Sequence, residues 1–153
     1  MNIRKLTLSD IDILIRLRMD YIAEDMGSPS ESEKDAIISQ LRAYFRKHIP
    51  EDTFFAFVAE QNGDVLASAF LAISEKPANP AFTTGRVGTL MNVLTYPAYR
   101  NTGIATQLIE CVISEAKRLN VSLIELSSTG MGSHLYEKLG FEPSGYKTMR
   151  MKL

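Results

Sequence analysis

The chain has 153 residues, 45% hydrophobic and 23% charged, a mixture able to bury one core and too apolar for a disordered chain. Seventeen basic and eighteen acidic residues leave a formal net charge of -1, so no global field gathers nucleic acid or an anionic membrane. A single cysteine, Cys111, allows neither an internal disulfide nor a cysteine metal cluster. One domain over residues 1–153 is therefore expected, with a small-molecule or peptide partner and no metal.

The first five residues, Met1 to Lys5, lack the apolar stretch and small-residue cleavage site of a signal peptide, which makes a cytoplasmic location the expectation. Residues 3–6 form a short strand pattern. Thr7 then offers a cap and Asp10 a negative charge near the start of a helix that should run to about Glu24. Residues 26–30, Met-Gly-Ser-Pro-Ser, break the pattern. Ile37, Leu41, Tyr44, Phe45 and His48 recur at helical spacing, so a second helix should end before Pro50. Residues 54–60 read as a strand, Asn62-Gly63 as a hairpin turn and residues 65–74 as the returning partner. The apolar run at residues 54–59 is far shorter than the ~20 residues of a membrane-spanning helix.

After a loop over residues 76–85, extended character resumes at residues 87–95 and stops at Tyr96-Pro97. From Gly103, the residues Ile104, Ala105, Leu108, Ile109, Val112, Ile113, Ala116 and Leu119 make a broad apolar stripe of helical period. Residues 121–126 suggest a buried strand, 133–139 a short helix and 146–152 a closing strand. The expected order is βααβββαβαβ, an α/β (α+β) arrangement. It joins an antiparallel meander to one helix-linked parallel step, which excludes a simple doubly wound sheet.

The segment Val93-Leu94-Thr95-Tyr96-Pro97-Ala98-Tyr99-Arg100-Asn101-Thr102-Gly103-Ile104-Ala105-Thr106 runs from strand through loop into helix. Small residues at 103 and 105 admit a ligand close to the main chain, and the first helical turn has N–H groups without intrahelical partners. With the helix dipole these donors form an anion site suited to a diphosphate, to which Arg100 adds a charged contact. Neither the lysine of a Walker loop nor three spaced dinucleotide-binding glycines are present.

Arg100-x-x-Gly103-x-Ala105 after a strand resembles the Gln/Arg-x-x-Gly-x-Gly/Ala motif of the GCN5-related N-acetyltransferases. Leu135-Tyr136-Glu137-Lys138-Leu139-Gly140-Phe141 is similar to that family's late Leu-Tyr-Glu-Lys-x-Gly-Phe segment. The element order agrees over essentially the whole chain. The resemblance implies a mixed, mostly antiparallel central sheet flanked by helices, with acetyl-CoA as cosubstrate. It implies that Val93, Leu94 and Thr95 hold the pantetheine arm by their main chain. Arg100, Asn101, Thr102, Gly103, Ile104, Ala105 and Thr106 would hold the diphosphate. Thr129 stands where many members have an asparagine that touches the cofactor.

The same resemblance implies N-acetyltransfer to a primary amine by direct attack through a tetrahedral intermediate. Tyr136 matches the general acid that protonates the departing sulfur. No carboxylate lies in residues 86–96, where some members carry a general base. A non-catalytic acyl-CoA-binding module, which that absence favours, and transfer to a hydroxyl or thiol keep the same cofactor site. Asn92 has two readings, a substrate contact or a residue that pins a strand. Glu24 and Asp25 are placed to bind or deprotonate an amine through water, and otherwise are solvated carboxylates. His134 reads as an idle surface histidine and Cys111 as an inert thiol on an apolar helix face. The loops 26–30 and 76–85 are expected to shape the acceptor pocket, and a homodimer is compatible with the sequence but not demanded by it.

Overall fold

A computed structural model describes residues 1–128 and 132–153. Its elements follow the chain as β1 (Asn2–Lys5), α1 (Ile11–Met26), α2 (Glu31–His48), β2 (Phe54–Gln61), β3 (Asp64–Glu75), β4 (Arg86–Thr95), α3 (Ile104–Arg118), β5 (Leu123–Glu125) and α4 (Ser133–Lys138). Short 3-10 turns at Leu8–Asp10 and Pro97–Tyr99 lead into α1 and away from β4. The five strands lie in sequence order. Every neighbouring pair is antiparallel except β4 and β5, which α3 joins in parallel.

Local chemistry sets the element ends. Asp10 reaches back to the Thr7 amide before α1, and Ser30 and Glu33 exchange the two bonds of a capping box at the start of α2. The β2–β3 hairpin turns on Asn62 and Gly63, both at positive φ (54° and 83°), as a tight two-residue hairpin requires.

Both faces of the sheet are covered. On one, α1 and α2 bring Leu14, Leu17, Leu41 and Phe45 against Phe54, Val58 and Phe70. On the other, the α3 stripe Ile104, Leu108, Ile109, Val112 and Ala116 packs against Phe55, Ala59, Ala67, Ala69 and Leu71. The alternation of Ala69 and Leu71 with Phe70 sends successive β3 side chains to opposite layers, so residues 66–71 are all buried. Tyr44 and Phe45 belong to the α1–α2 core, where Phe45, Phe54 and Phe70 meet at ring separations of 5.0 to 6.4 Å.

Two expectations need correction. The strand expected at residues 121–126 is only Leu123–Glu125, paired with Val87, Gly88 and Thr89. The closing strand expected at residues 146–152 does not form. Residues 141–153 carry no regular structure, and Tyr146, Met149, Met151 and Leu153 are exposed. An alternating segment becomes a strand only when an edge pairs it and a layer covers its apolar face. The neighbouring edge at β5 is three residues long.

Candidate active site

β4 and β5 part company early. Their register ends at Thr89 and Glu125, so among the described residues no strand pairs with the remainder of β4 on that side. Tyr96 N–H donates to Leu66 O on the β3 side. By strand alternation Thr95 and Val93 turn their amides and carbonyls the other way, toward the gap. Thr95 O there accepts from Arg100 Nε at 2.9 Å.

The gap is the bottom of a cleft of about 880 Å³, within the range of small-molecule sites. Its floor is Val93, Leu94 and Thr95, and one wall is the chain from Tyr99 through Thr106. Tyr21, Glu24 and Asp25 of α1 form a second wall, and Ser127, Ser128, Gly132, Leu135 and Tyr136 close the far side.

Tyr96, before Pro97, is extended (φ -63°, ψ 145°), as a residue preceding proline prefers, and the chain then makes its 3-10 turn. Thr102 Oγ1 donates to Tyr99 O at 2.6 Å and pins the loop. Asn101 and Gly103 both take positive φ, 61° and 81°. Gly103 stands at the N-cap of α3, where among the described residues no side chain caps the first turn, and Gln107 N–H makes the first bond back to Gly103 O. A Cβ at Gly103 would meet no protein atom within 4 Å. The main chain is thus bare toward the cleft and donor-rich, with about half a positive charge at the helix start. Diphosphate chemistry fits this corner.

Arg100 does more than face that corner. Its Nη2 pairs with Glu24 Oε1 at 2.6 Å, both side chains being about half exposed. Two other contacts run beside it: Tyr96 Oη donates to Asp20 Oδ2 at 2.5 Å, and Asn92 Nδ2 donates to Leu17 O at 3.2 Å. Leu17, Asp20 and Glu24 lie on one face of α1, and Asn92, Tyr96 and Arg100 follow at four-residue steps, so α1 is fastened along the length of the strand and loop. Burial and the Asp20 carboxylate push the Tyr96 phenol up to about 12.

Tyr136 is half-buried, packed edge-on against Phe141 at 5.8 Å. Burial, and secondarily Tyr21 across the cleft, raises its phenol above the ordinary 10. It is therefore a protonated donor at neutral pH.

Val93, Leu94, Thr95, Arg100, Asn101, Thr102, Gly103, Ile104, Ala105, Thr106, Tyr136, Glu24 and Asp25, all anticipated from sequence, line this one cleft. Asn92 does not. It is completely buried and bonded to Leu17 and Ser68, in line with its reading as a strand pin. Thr129 lies outside the described residues. His134 is exposed, 4.0 Å from Glu137, and Cys111 is half-buried in a separate groove between α3 and the edge of the sheet. The loop at 76–85 stands at the opposite end of β4, beside Asn120 and Ser122, whereas the loop at 26–30 follows directly on Glu24 and Asp25 of the α1 wall. The loop at 76–85 therefore does not border this cleft, contrary to expectation.

Tyr21 was not anticipated, although it sits one turn before Glu24 on the same helical face. Tyr99 and Leu135 stood inside the two motifs without a role assigned to them, and Ser127 and Ser128 carried no sequence signal of their own. Among the described residues no cluster of metal-ligating side chains occurs, and no helix is long and apolar enough to cross a membrane.

The sequence profile of the acetyltransferase (GNAT) domain matches residues 52–143. No curated protein matches the chain. Among solved structures, a predicted acetyltransferase from Clostridium acetobutylicum, crystallised with acetyl-CoA, is 28% identical over 98% of this chain and 95% of its own, with a TM-score of 0.87. A GCN5-related N-acetyltransferase from Ralstonia eutropha shares the fold at 22% identity and a TM-score of 0.82, covering 98% and 97% of the two chains. Glucosamine-6-phosphate N-acetyltransferase from Arabidopsis thaliana shares it at 19% and 0.68, again covering 98% and 97%.

Proposed function

The chain belongs to the acetyltransferase (GNAT) family, and from that premise we propose that it moves an acetyl group from acetyl-CoA to a primary amine by direct attack. The observation that carries the proposal is convergence. The uncapped first turn of α3, the unpaired side of β4 and the Tyr136 phenol all open into one cleft. The diphosphate would lie on the amides of Ile104, Ala105 and Thr106 with Arg100 beside it, and Asn101, Thr102 and Gly103 would shape that corner. The pantetheine arm would run along Val93, Leu94 and Thr95.

The amine nitrogen bonds to the thioester carbonyl carbon, charge gathers on its oxygen in a tetrahedral intermediate, and the carbon–sulfur bond then breaks. An outward main-chain N–H of β4 meets the developing oxyanion, and Tyr136 gives its proton to the leaving sulfur. Glu24 and Asp25 are the carboxylates on the cleft wall. They receive the amine as its ammonium and take one proton through water before attack, a role that β4, without a carboxylate in residues 86–96, does not supply. The second proton leaves the nitrogen of the tetrahedral intermediate to solvent, and Tyr136 regains from solvent the proton it gave to sulfur. Holding both reactants in one cleft contributes most of the remaining acceleration through orientation.

The test is release of the CoA thiol across amines, polyamines, amino acids, aminoglycosides and peptides. Turnover with at least one of these classes is expected. Tight acetyl-CoA binding with no turnover on any of them would replace transfer by non-catalytic acyl-CoA binding, the reading that the carboxylate-free β4 favours.

A further inference from the structure

The β3–β4 ladder slips at one place. Ser68 faces Leu94 and Phe70 faces Met91, so Ala69 alone stands opposite both Asn92 and Val93. This is a β-bulge, and Asn92 within it takes φ 55°, a left-handed conformation that asparagine tolerates better than most residues. Among the described residues Asn92 and Ser68 are the two fully buried polar side chains of the core.

Their hydrogen bonds form a closed set. Ser68 Oγ donates to Asn92 O at 3.0 Å and accepts from Asn92 Nδ2 at 3.4 Å. The same Nδ2 donates to Leu17 O of α1 at 3.2 Å, and Arg18 Nη1 approaches Asn92 Oδ1 at 3.5 Å. Leu17 O is also the helical acceptor for Tyr21 N–H, four residues on, and Tyr21 is a cleft wall. One carbonyl therefore connects the bulge to the residue that faces Tyr136. A buried amide with no partner would cost stability, so the network holds its members in this geometry.

Resting on the acetyl-transfer reading, we propose that Asn92 is a positioning residue for that reaction. Its side chain clamps the left-handed bulge of β4 to α1. The clamp fixes the outward amides of Val93 and Thr95, which meet the thioester, relative to the α1 wall that receives the amine. Asn92 touches neither reactant. Its effect on rate passes through the main chain beside it and through the separation of the two halves of the cleft.

Asn92→Gly is the informative variant, because glycine keeps the positive φ at no steric cost while removing the clamp. Ser68→Ala is a milder second cut into the same network should the first variant fold poorly. Three readouts apply to folded protein: the acetyl-CoA Kd by calorimetry, the infrared band of the bound thioester carbonyl labelled with carbon-13, and kcat. The Kd should hold, since the diphosphate corner belongs to α3. The carbonyl band, lowered in the wild type by an aimed N–H donor, should return toward its position in water, and kcat should fall on the order of 10-fold to 100-fold, as for small misplacements of reacting groups. A variant with a lower Tm but unchanged band and kcat would show that Asn92 only packs the core and would overturn the inference alone. Loss of Kd in proportion to kcat would overturn it as well, by placing the effect at the cofactor site as a whole. Wild-type protein that binds no acetyl-CoA would overturn the acetyl-transfer reading, and the inference with it.

Discussion

Tyr136 Oη is the group whose chemistry is most sharply defined at the scale of a single residue. Burial holds its proton above the ordinary phenol value of 10, so it remains an acid through the neutral range. Tyr136→Phe should lower kcat at saturating substrates by at least ~10-fold, toward the low side of general-acid effects because water substitutes in part. For the wild type, a group that must stay protonated gives a rate that falls only as pH climbs through its raised pKa. The alkaline limb of kcat should lie above pH 10 and vanish in the variant. An unchanged kcat with the limb retained would remove Tyr136 from the proton path. Tyr136 was legible because a seven-residue motif surrounds it. Asn92 was legible only as an ambiguity, since a sequence does not reveal a positive φ or a buried partner on another element. Tyr21 was missed because a tyrosine on a helix carries no signal until its facing wall is known.

Among the elements, α1, β4 and the loop into α3 act together. The strand, the loop and the apolar stripe of α3 were readable because each has a physical mark: a proline stop, small residues at a helix start, and a period of 3.6. The stitching of α1 along the loop was not, because it depends on contacts 74 to 76 positions apart in the chain. Its outermost stitch has a consequence for binding. Glu24 holds the guanidinium that a diphosphate would claim. Arg100→Ala should weaken acetyl-CoA binding by at least ~10-fold, the usual worth of a hydrogen bond to a charged group. Glu24→Gln should do the opposite and tighten it by up to ~5-fold, since an exposed ion pair is worth about 0–1 kcal/mol, while raising the KM of the amine. Calorimetry and initial rates read both. If Glu24→Gln also weakens the cofactor, the carboxylate shapes the loop rather than competing for Arg100.

For the molecule as a whole, the antiparallel hairpin was legible from patterning and the Asn62-Gly63 turn, and the parallel step from the long apolar helix between two strand patterns, whereas the flanking of the sheet by helices came from the family resemblance. The end of the sheet was not legible. Met149, Met151 and Leu153 alternate with polar Arg150 and Lys152 as in a strand, but alternation specifies only which side chains share a face and says nothing of whether an edge is there to receive them. The architecture nonetheless delivers what the chemistry asks of it, a rigid two-sided core in which β4 parts from β5 and the start of α3 opens into the resulting cleft. The most direct test of this account is a crystal structure with acetyl-CoA. The account predicts the diphosphate on the amides of Ile104, Ala105 and Thr106, with Arg100 turned from Glu24 toward it and the thioester beside Val93 and Thr95. A cofactor bound elsewhere, or that corner filled by a side chain instead, would contradict it.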